Sequence, residues 1–177
     1  MLQGLIIFAF VSFCFGTELV YPEFKDSIAV NDDNIQSYIE KGDLFLLFHV
    51  PAMGACKEFI SIWNEVARIH KEKGSKFTVA HINLQPTNAH VTKVRFKPGE
   101  YPSFVFIKDG TVYWGLESGL RSNRKPERLP YYVSFPETGY LEDKVRKQPL
   151  PAVPHVPQWF TTHDFIGLDG KKYPGAL

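Results

Sequence analysis

Leu44-Phe45-Leu46-Leu47-Phe48-His49-Val50-Pro51-Ala52-Met53-Gly54-Ala55-Cys56-Lys57 is the stretch on which the reading of this chain turns. Leu44 to Val50 is apolar on both faces apart from His49, which predicts a central strand covered on two sides. The run breaks at Pro51 and passes directly into an amphipathic segment. From Gly54 to about Lys73, Phe59, Ile60, Trp63, Val66, Ala67 and His70 recur at helical spacing. Lys57, Glu58, Asn64, Glu65, Arg68 and Lys71 mostly take the other face, and Gly74 ends the helix. A buried strand feeding a helix places Met53 through Cys56 among backbone N–H groups that lack intrahelical partners. These lie at the positive end of the helix dipole, which favours anions and thiolates. The geometry suits sulfur chemistry, but the sulfur is incomplete.

On the N-terminal side, Ser27 to Val30 reads as a short strand. Residues 32 to 41 read as a short helix, with cap oxygens in Asn31-Asp32-Asp33-Asn34, apolar Ile35, Tyr38 and Ile39 on one face, and Gly42 as the stop. On the C-terminal side, Phe77 to Leu84 is predicted as a strand and Pro86 to Val94 as a short helix, followed by a loop at Lys97-Pro98-Gly99. Ser103 to Ile107 and Thr111 to Trp114 are strands flanking Lys108-Asp109-Gly110, whose Asp-Gly pair signals a hairpin. Strand, helix, strand, helix, strand, helix and an antiparallel hairpin together predict an α/β fold with a mixed sheet. Pro126 suits a first helical turn and Pro130 would interrupt one, so a broken terminal helix is predicted near 124 to 147. Four prolines in Gln148 to Phe160 predict an extended segment kept out of the sheet interior. No internal repeat is present.

The chain has 177 residues and is 44% hydrophobic, enough for one domain with a filled core and a tail. A formal net charge of +1 gives no basis for a nucleic-acid partner. The first sixteen residues, MLQGLIIFAFVSFCFG, carry an apolar stretch shorter than the ~20 residues a membrane span needs, and polar Thr17-Glu18 follow at once. They are expected to be a secretory signal peptide, although no Lys or Arg precedes the apolar stretch. The expected organisation is therefore signal peptide 1–16, domain 17–147 and Pro-rich C-terminal tail 148–177, with no membrane span in the mature chain. Cys14 would leave with the signal, and Cys56 would remain as a lone cysteine. In an oxidising compartment such a residue is either buried and inert or able to pair with another molecule, and sequence leaves both open.

The order of elements and the residues at its landmarks resemble the thioredoxin fold, and within it a catalytic-type domain of the protein disulfide isomerase family, over roughly residues 19 to 135. Domains of that family read Phe-Tyr-Ala-Pro-Trp-Cys-Gly-His-Cys-Lys, then a helix with a Trp, and later a Tyr-Pro-Thr turn before a Lys-Asp-Gly hairpin. Here Phe48 to Lys57 aligns without a gap, Trp63 falls in the helix, and Tyr101-Pro102-Ser103 precedes Lys108-Asp109-Gly110. The resemblance implies a central mixed β-sheet flanked by helices, a cis peptide before Pro102, and no cofactor.

The departures from that pattern are as informative. Met53 stands where the family has its attacking cysteine, and a thioether has no proton to lose and cannot form a disulfide. Ala52 replaces the preceding Trp, Ala55 replaces the His, and Leu47 replaces an acid that the family buries six positions earlier for proton transfer. Cys56 takes the place of the second, resolving cysteine. No catalytic residue is therefore assigned with Met53 in place, and Cys56 is the one candidate thiol. Backbone groups near the family's cis-proline pair with extended substrate, a mode that needs no cysteine. Ala52, Met53, Gly54, Tyr101 and Pro102 are accordingly the expected peptide-binding residues.

The expected function is a redox-inactive or redox-impaired thioredoxin-like protein of the endoplasmic reticulum lumen or the secreted space. It would bind unfolded or cysteine-containing client polypeptides in a chaperone or adaptor role. The alternative is a monothiol oxidoreductase or isomerase-type enzyme that forms mixed disulfides through Cys56, and a third reading is a structural subunit of a larger complex. His49, Met53, Cys56 and His81 would suit copper(I) only if brought together, and they lack the paired spacing of metal motifs, so no metal is expected. Arg121, Arg124, Lys125 and Arg128, like Lys144, Arg146 and Lys147, read as solvated charge. Trp159, Phe160, Phe165 and Tyr173 in the tail would either pack back on the domain or dock to a partner.

Overall fold

A computed structural model describes residues 23–85, 89–115 and 125–154, together with the backbone of 165–166 and 172–173. The expected signal peptide, Cys14, Arg121, Arg124, Trp159 and Phe160 lie outside the described residues, as does the start of the helix expected from Pro86. In chain order the elements are β1 (Ile28–Ala29), α1 (Ile35–Lys41), β2 (Leu44–His49), α2 (Gly54–Glu72), β3 (Thr78–Asn83), α3 (His90–Phe96), β4 (Ser103–Lys108), β5 (Thr111–Trp114), α4 (Leu129–Ser134) and β6 (Arg146–Pro149). A separate two-stranded pair joins β7 (Phe165–Ile166) to β8 (Lys172–Tyr173).

The six-stranded sheet runs β1-β3-β2-β4-β5-β6. β1, β3 and β2 are parallel, and β4, β5 and β6 follow antiparallel, so the sheet is mixed as the order of elements predicts. β2 is central and all six of its residues are buried. Alternation along it divides the core in two. Leu44, Leu46 and Phe48 join Ala80, Ile82, Val105 and Trp114 beneath Ile35 of α1 and Phe96 of α3. Phe45 and Leu47 join Phe104 and Phe106 against Phe59, Ile62, Trp63 and Val66 of α2, with Tyr132 and Phe135 at α4. The second face is largely aromatic: Phe45 lies 4.8 Å from Trp63 and 5.3 Å from Phe104, ring centre to ring centre. Offset and edge-on pairs of this kind add to what burial alone provides.

Two turns need glycine. Asp109 and Gly110 both have positive φ (48° and 69°), as a tight hairpin between β4 and β5 requires. At Gly115 a Cβ would lie 1.8 Å from the Phe104 ring, so the chain leaves β5 across that ring only without a side chain.

The C-terminal part differs from expectation. The broken helix expected near 124 to 147 is one α-helix, Leu129–Ser134, with single 3-10 turns before and after it at Pro126–Arg128 and Gly139–Leu141, and the last two residues of that range belong to β6. Pro130 does not interrupt the helix. The residue falls in the first turn, where a missing N–H has no partner to lose, and Pro136 ends the helix instead. The boundary expected between 147 and 148 is crossed by β6, whose Arg146 to Pro149 pair with Trp114 to Thr111 at the sheet edge. Leu150 N–H then donates to the Gly110 carbonyl at 2.7 Å, and Arg95 Nε donates to the Pro151 carbonyl at 2.7 Å. Proline is tolerated there because an edge strand leaves one row of backbone groups unpaired.

Candidate functional site

The end of β2, the turn at Pro51–Ala52 and the first turn of α2 form one continuous feature. Met53 is the N-cap residue, extended at φ −87° and ψ 125°, with no side-chain hydrogen bond to the helix. A methionine has no oxygen with which to cap, so this terminus relies on the backbone alone, Cys56 N–H reaching the Met53 carbonyl at 3.0 Å. The Met53 side chain is 42% exposed and Cys56 is 1% exposed. The two sulfurs therefore have opposite settings: a thioether faces solvent and a thiol lies beneath it. Val50 N–H points at Cys56 Sγ at 3.4 Å, so the chain just before Pro51 closes over the sulfur.

The loop before β4 completes the site. The Tyr101–Pro102 peptide is cis, and Ser103 pairs with Phe48 in the β2–β4 register, which sets the loop beside the end of β2. Pro102 is buried and Tyr101 half-buried. Burial, and then the charge that Cys56 would carry as a thiolate, push the Tyr101 hydroxyl above its ordinary value, so phenol and sulfur lie within electrostatic reach. The expected residues Met53, Cys56, Tyr101 and Pro102 thus belong to one end of the sheet. Leu47 is buried among Phe59, Trp63 and Phe104, where a carboxylate would lack compensation.

His49 and His81 lie on the α2 side of the same sheet, their ring centres 5.7 Å apart. Burial pushes both imidazoles down to about 4, and for His81 the neighbouring His49 adds to the effect. Among the described residues no three His, Cys, Asp or Glu side chains converge as metal ligands would. The sequence groups His49 with His81 only as members of a conceivable copper(I) set, and nothing in it places Phe24 over the pair. The one available signal was alternation in Val79-Ala80-His81-Ile82, which puts His81 on the face opposite Ala80 and Ile82. Arg128 lies 5.8 Å from the Tyr131 ring and Arg146 4.5 Å from the Trp114 ring, so both flank aromatic surface, which the reading as solvated charge omitted.

With this geometry in place, the likeness to known proteins is specific. No family model matches the chain. Human protein disulfide-isomerase A4 is 32% identical over 94 residues, which cover 52% of this chain and 14% of that protein. The rat protein of the same name is 29% identical over 82 residues. Among solved structures, the first thioredoxin domain of mouse protein disulfide-isomerase A4 superposes with a TM-score of 0.52 at 23% identity, over 77% of this chain and 89% of that one. The thioredoxin-like domain of Arabidopsis NCP gives 0.56 at 13% identity, over 76% and 96%. The chain contains a thioredoxin-like domain. It resembles the domains of the protein disulfide isomerase family, and it spans only a small part of the length of the curated relatives it matches.

Proposed function

We propose that this is a secretory-pathway thioredoxin-like domain that holds client polypeptides without dithiol exchange. The observation that carries the reading is the placement of the two sulfurs. The exposed position at the N-cap of α2 is Met53, which cannot attack a disulfide, and the thiol at Cys56 is shielded. What the family uses to align an extended substrate is kept: the cis Tyr101–Pro102 peptide beside an exposed helix terminus formed by Ala52, Met53 and Gly54. Met53 suits such a surface, because an unbranched thioether adapts to varied apolar side chains. The name of the human relative, a disulfide isomerase, supports a role in protein folding. The expected signal peptide at 1–16 supports a location in the endoplasmic reticulum lumen or beyond.

Exchange through Cys56 alone, the enzymatic alternative, requires a sulfur that another disulfide can reach in line, and 1% exposure opposes it. Both readings meet in one experiment on the mature protein. Insulin reduction should not exceed that of a Cys56→Ser control, while a fluorescent unfolded polypeptide should bind wild type and Cys56→Ser equally and bind Pro102→Ala several-fold more weakly. Insulin turnover that disappears in Cys56→Ser would overturn the proposal in favour of the monothiol enzyme.

A further inference from the structure

The α2 side of the sheet is closed at one edge by a short length of chain before β1. Phe24 stacks on the His81 ring at 3.6 Å between centres, with the planes 10° apart, and its centre is 4.8 Å from that of His49. Ser27 Oγ lies 2.7 Å from His81 Nδ1. His49 is 4% exposed, and neither of its ring nitrogens has a hydrogen-bond partner among the described residues. Three rings thus pack as an apolar cluster in which both imidazoles are held neutral by burial.

Among the described residues the covering segment is held by few bonds. Asn64 of α2 accepts from Lys25 N–H at 3.0 Å and donates to the Glu23 carbonyl at 2.8 Å, Lys71 pairs with Asp26 at 2.7 Å, and β1 contributes only two residues. The charged groups around the cluster offer it no counter-ion. In the segment the charged groups are Glu23, Lys25 and Asp26, with Asp26 paired to Lys71, and the nearest acid of α2 in sequence to Asn64, Glu65, is paired to Arg68. β2 and β3 contribute the two histidines themselves. A proton arriving on either ring therefore meets desolvation and the other imidazole, with no carboxylate paired to either among the described residues.

We propose that Glu23 to Ser27 is an acid-released latch: protonation of His49 and His81 ejects Phe24 and peels the segment from α2 and β3, while the central sheet stays folded. Water then solvates the two imidazolium rings, and the strip of sheet around Val79 and His81 becomes accessible beside the end of β2. The loss is local because residues 23–27 are exposed or half-buried, whereas β2 and β4 lie in the middle of the core.

Backbone hydrogen exchange of the full chain, followed by mass spectrometry and corrected for the intrinsic rate at each pH, tests this. The opening constant for peptides covering 23–29 should rise by about tenfold per pH unit for each histidine below pH 6.5, while β2 and β4 stay protected. His49→Phe, which keeps the Ser27–His81 bond, should halve the logarithmic slope, and His49→Phe/His81→Phe should abolish it. Protection that is flat from pH 7.5 to 5, or that falls equally in the double variant, would overturn the latch. Should the double variant not fold, imidazole resonances of the wild type serve instead: both rings titrating near 6.5 with the signals of Phe24 unmoved would overturn it equally.

Discussion

Cys56 carries the residue-scale question, because a thiol at this place reacts only if reagents reach it. With the Val50 backbone at 3.4 Å and the side chain buried, a bulky maleimide should leave Cys56 unlabelled in native protein and label it fully once urea unfolds the chain. Met53 is the complementary case. Its position at the N-cap is where unpaired N–H groups stabilise a thiolate, so Met53→Cys should create insulin reductase activity absent from wild type. That activity should remain low because Leu47 offers no carboxylate to move the proton of the second thiol. Adding Leu47→Glu in the same background should raise it by roughly the hundredfold that a positioned acid–base group supplies at the lower end. A double variant no faster than Met53→Cys alone would mean that hydrocarbon packing around Leu47 excludes an ionised acid.

The elements show how local signals are reassigned by distant partners. Asn31-Asp32-Asp33-Asn34 reads as a set of caps for α1, and Asn34 does occupy its N-cap. Its side chain, however, turns back to the Asn31 N–H at 2.9 Å and does not cap the helix. Asp32 serves another helix altogether: its two carboxylate oxygens accept from Val91 and Thr92 N–H at 2.7 Å each, capping α3 from some sixty residues away. Asp32→Ala should therefore destabilise the protein by about 1–2 kcal/mol in urea unfolding, and amides at the start of α3 should lose protection before those of α1. α4 is short for a related reason. Its one buried side chain, Tyr132, fills the space beside Phe59 and Phe104, and the buried Phe135 follows directly as the C-cap before Pro136 stops the helix.

At the scale of the whole molecule, the C-terminal strand and the buried histidines govern stability. Ending the chain at 147 removes half of β6 and the Leu150–Gly110 bond, and it leaves the Arg95 guanidinium without its Pro151 carbonyl. Relative to a chain ending at 154, that truncation should cost on the order of 2 kcal/mol or more, read from the urea midpoint. Histidine protonation acts in a defined pH window. His49 and His81 are held at about 4 against 6.5 in the unfolded chain, and burial lowers His70 as well. The unfolded state thus takes up protons first as pH falls. Stability is full above about 6.5 and declines as pH falls below it, each of the first two groups accounting for at most about 3 kcal/mol, until release of Glu23–Ser27 solvates both rings in the folded chain and the decline levels off. Urea midpoints that stay constant between pH 7 and 5 would contradict this account.

The sequence by itself determined the order of elements up to β5, the two-sided burial of β2 and the presence of a hairpin at Asp109-Gly110. It also determined that Met53 and Cys56 sit at the start of one helix. Each of these follows from periodicity, turn chemistry or spacing within about twenty residues, where the side chains themselves report the outcome. The loss of the attacking thiol was legible for the same reason, since it depends on which residue occupies one position. Only the tertiary structure decided that Arg146 to Pro149 form the edge strand of the sheet, that Asp32 caps α3, that Pro130 falls in the first turn of a helix, and that Phe24 joins His49 to His81. Those are choices among partners far apart in the chain, fixed by which buried polar groups and apolar faces remain unmatched once the core has formed.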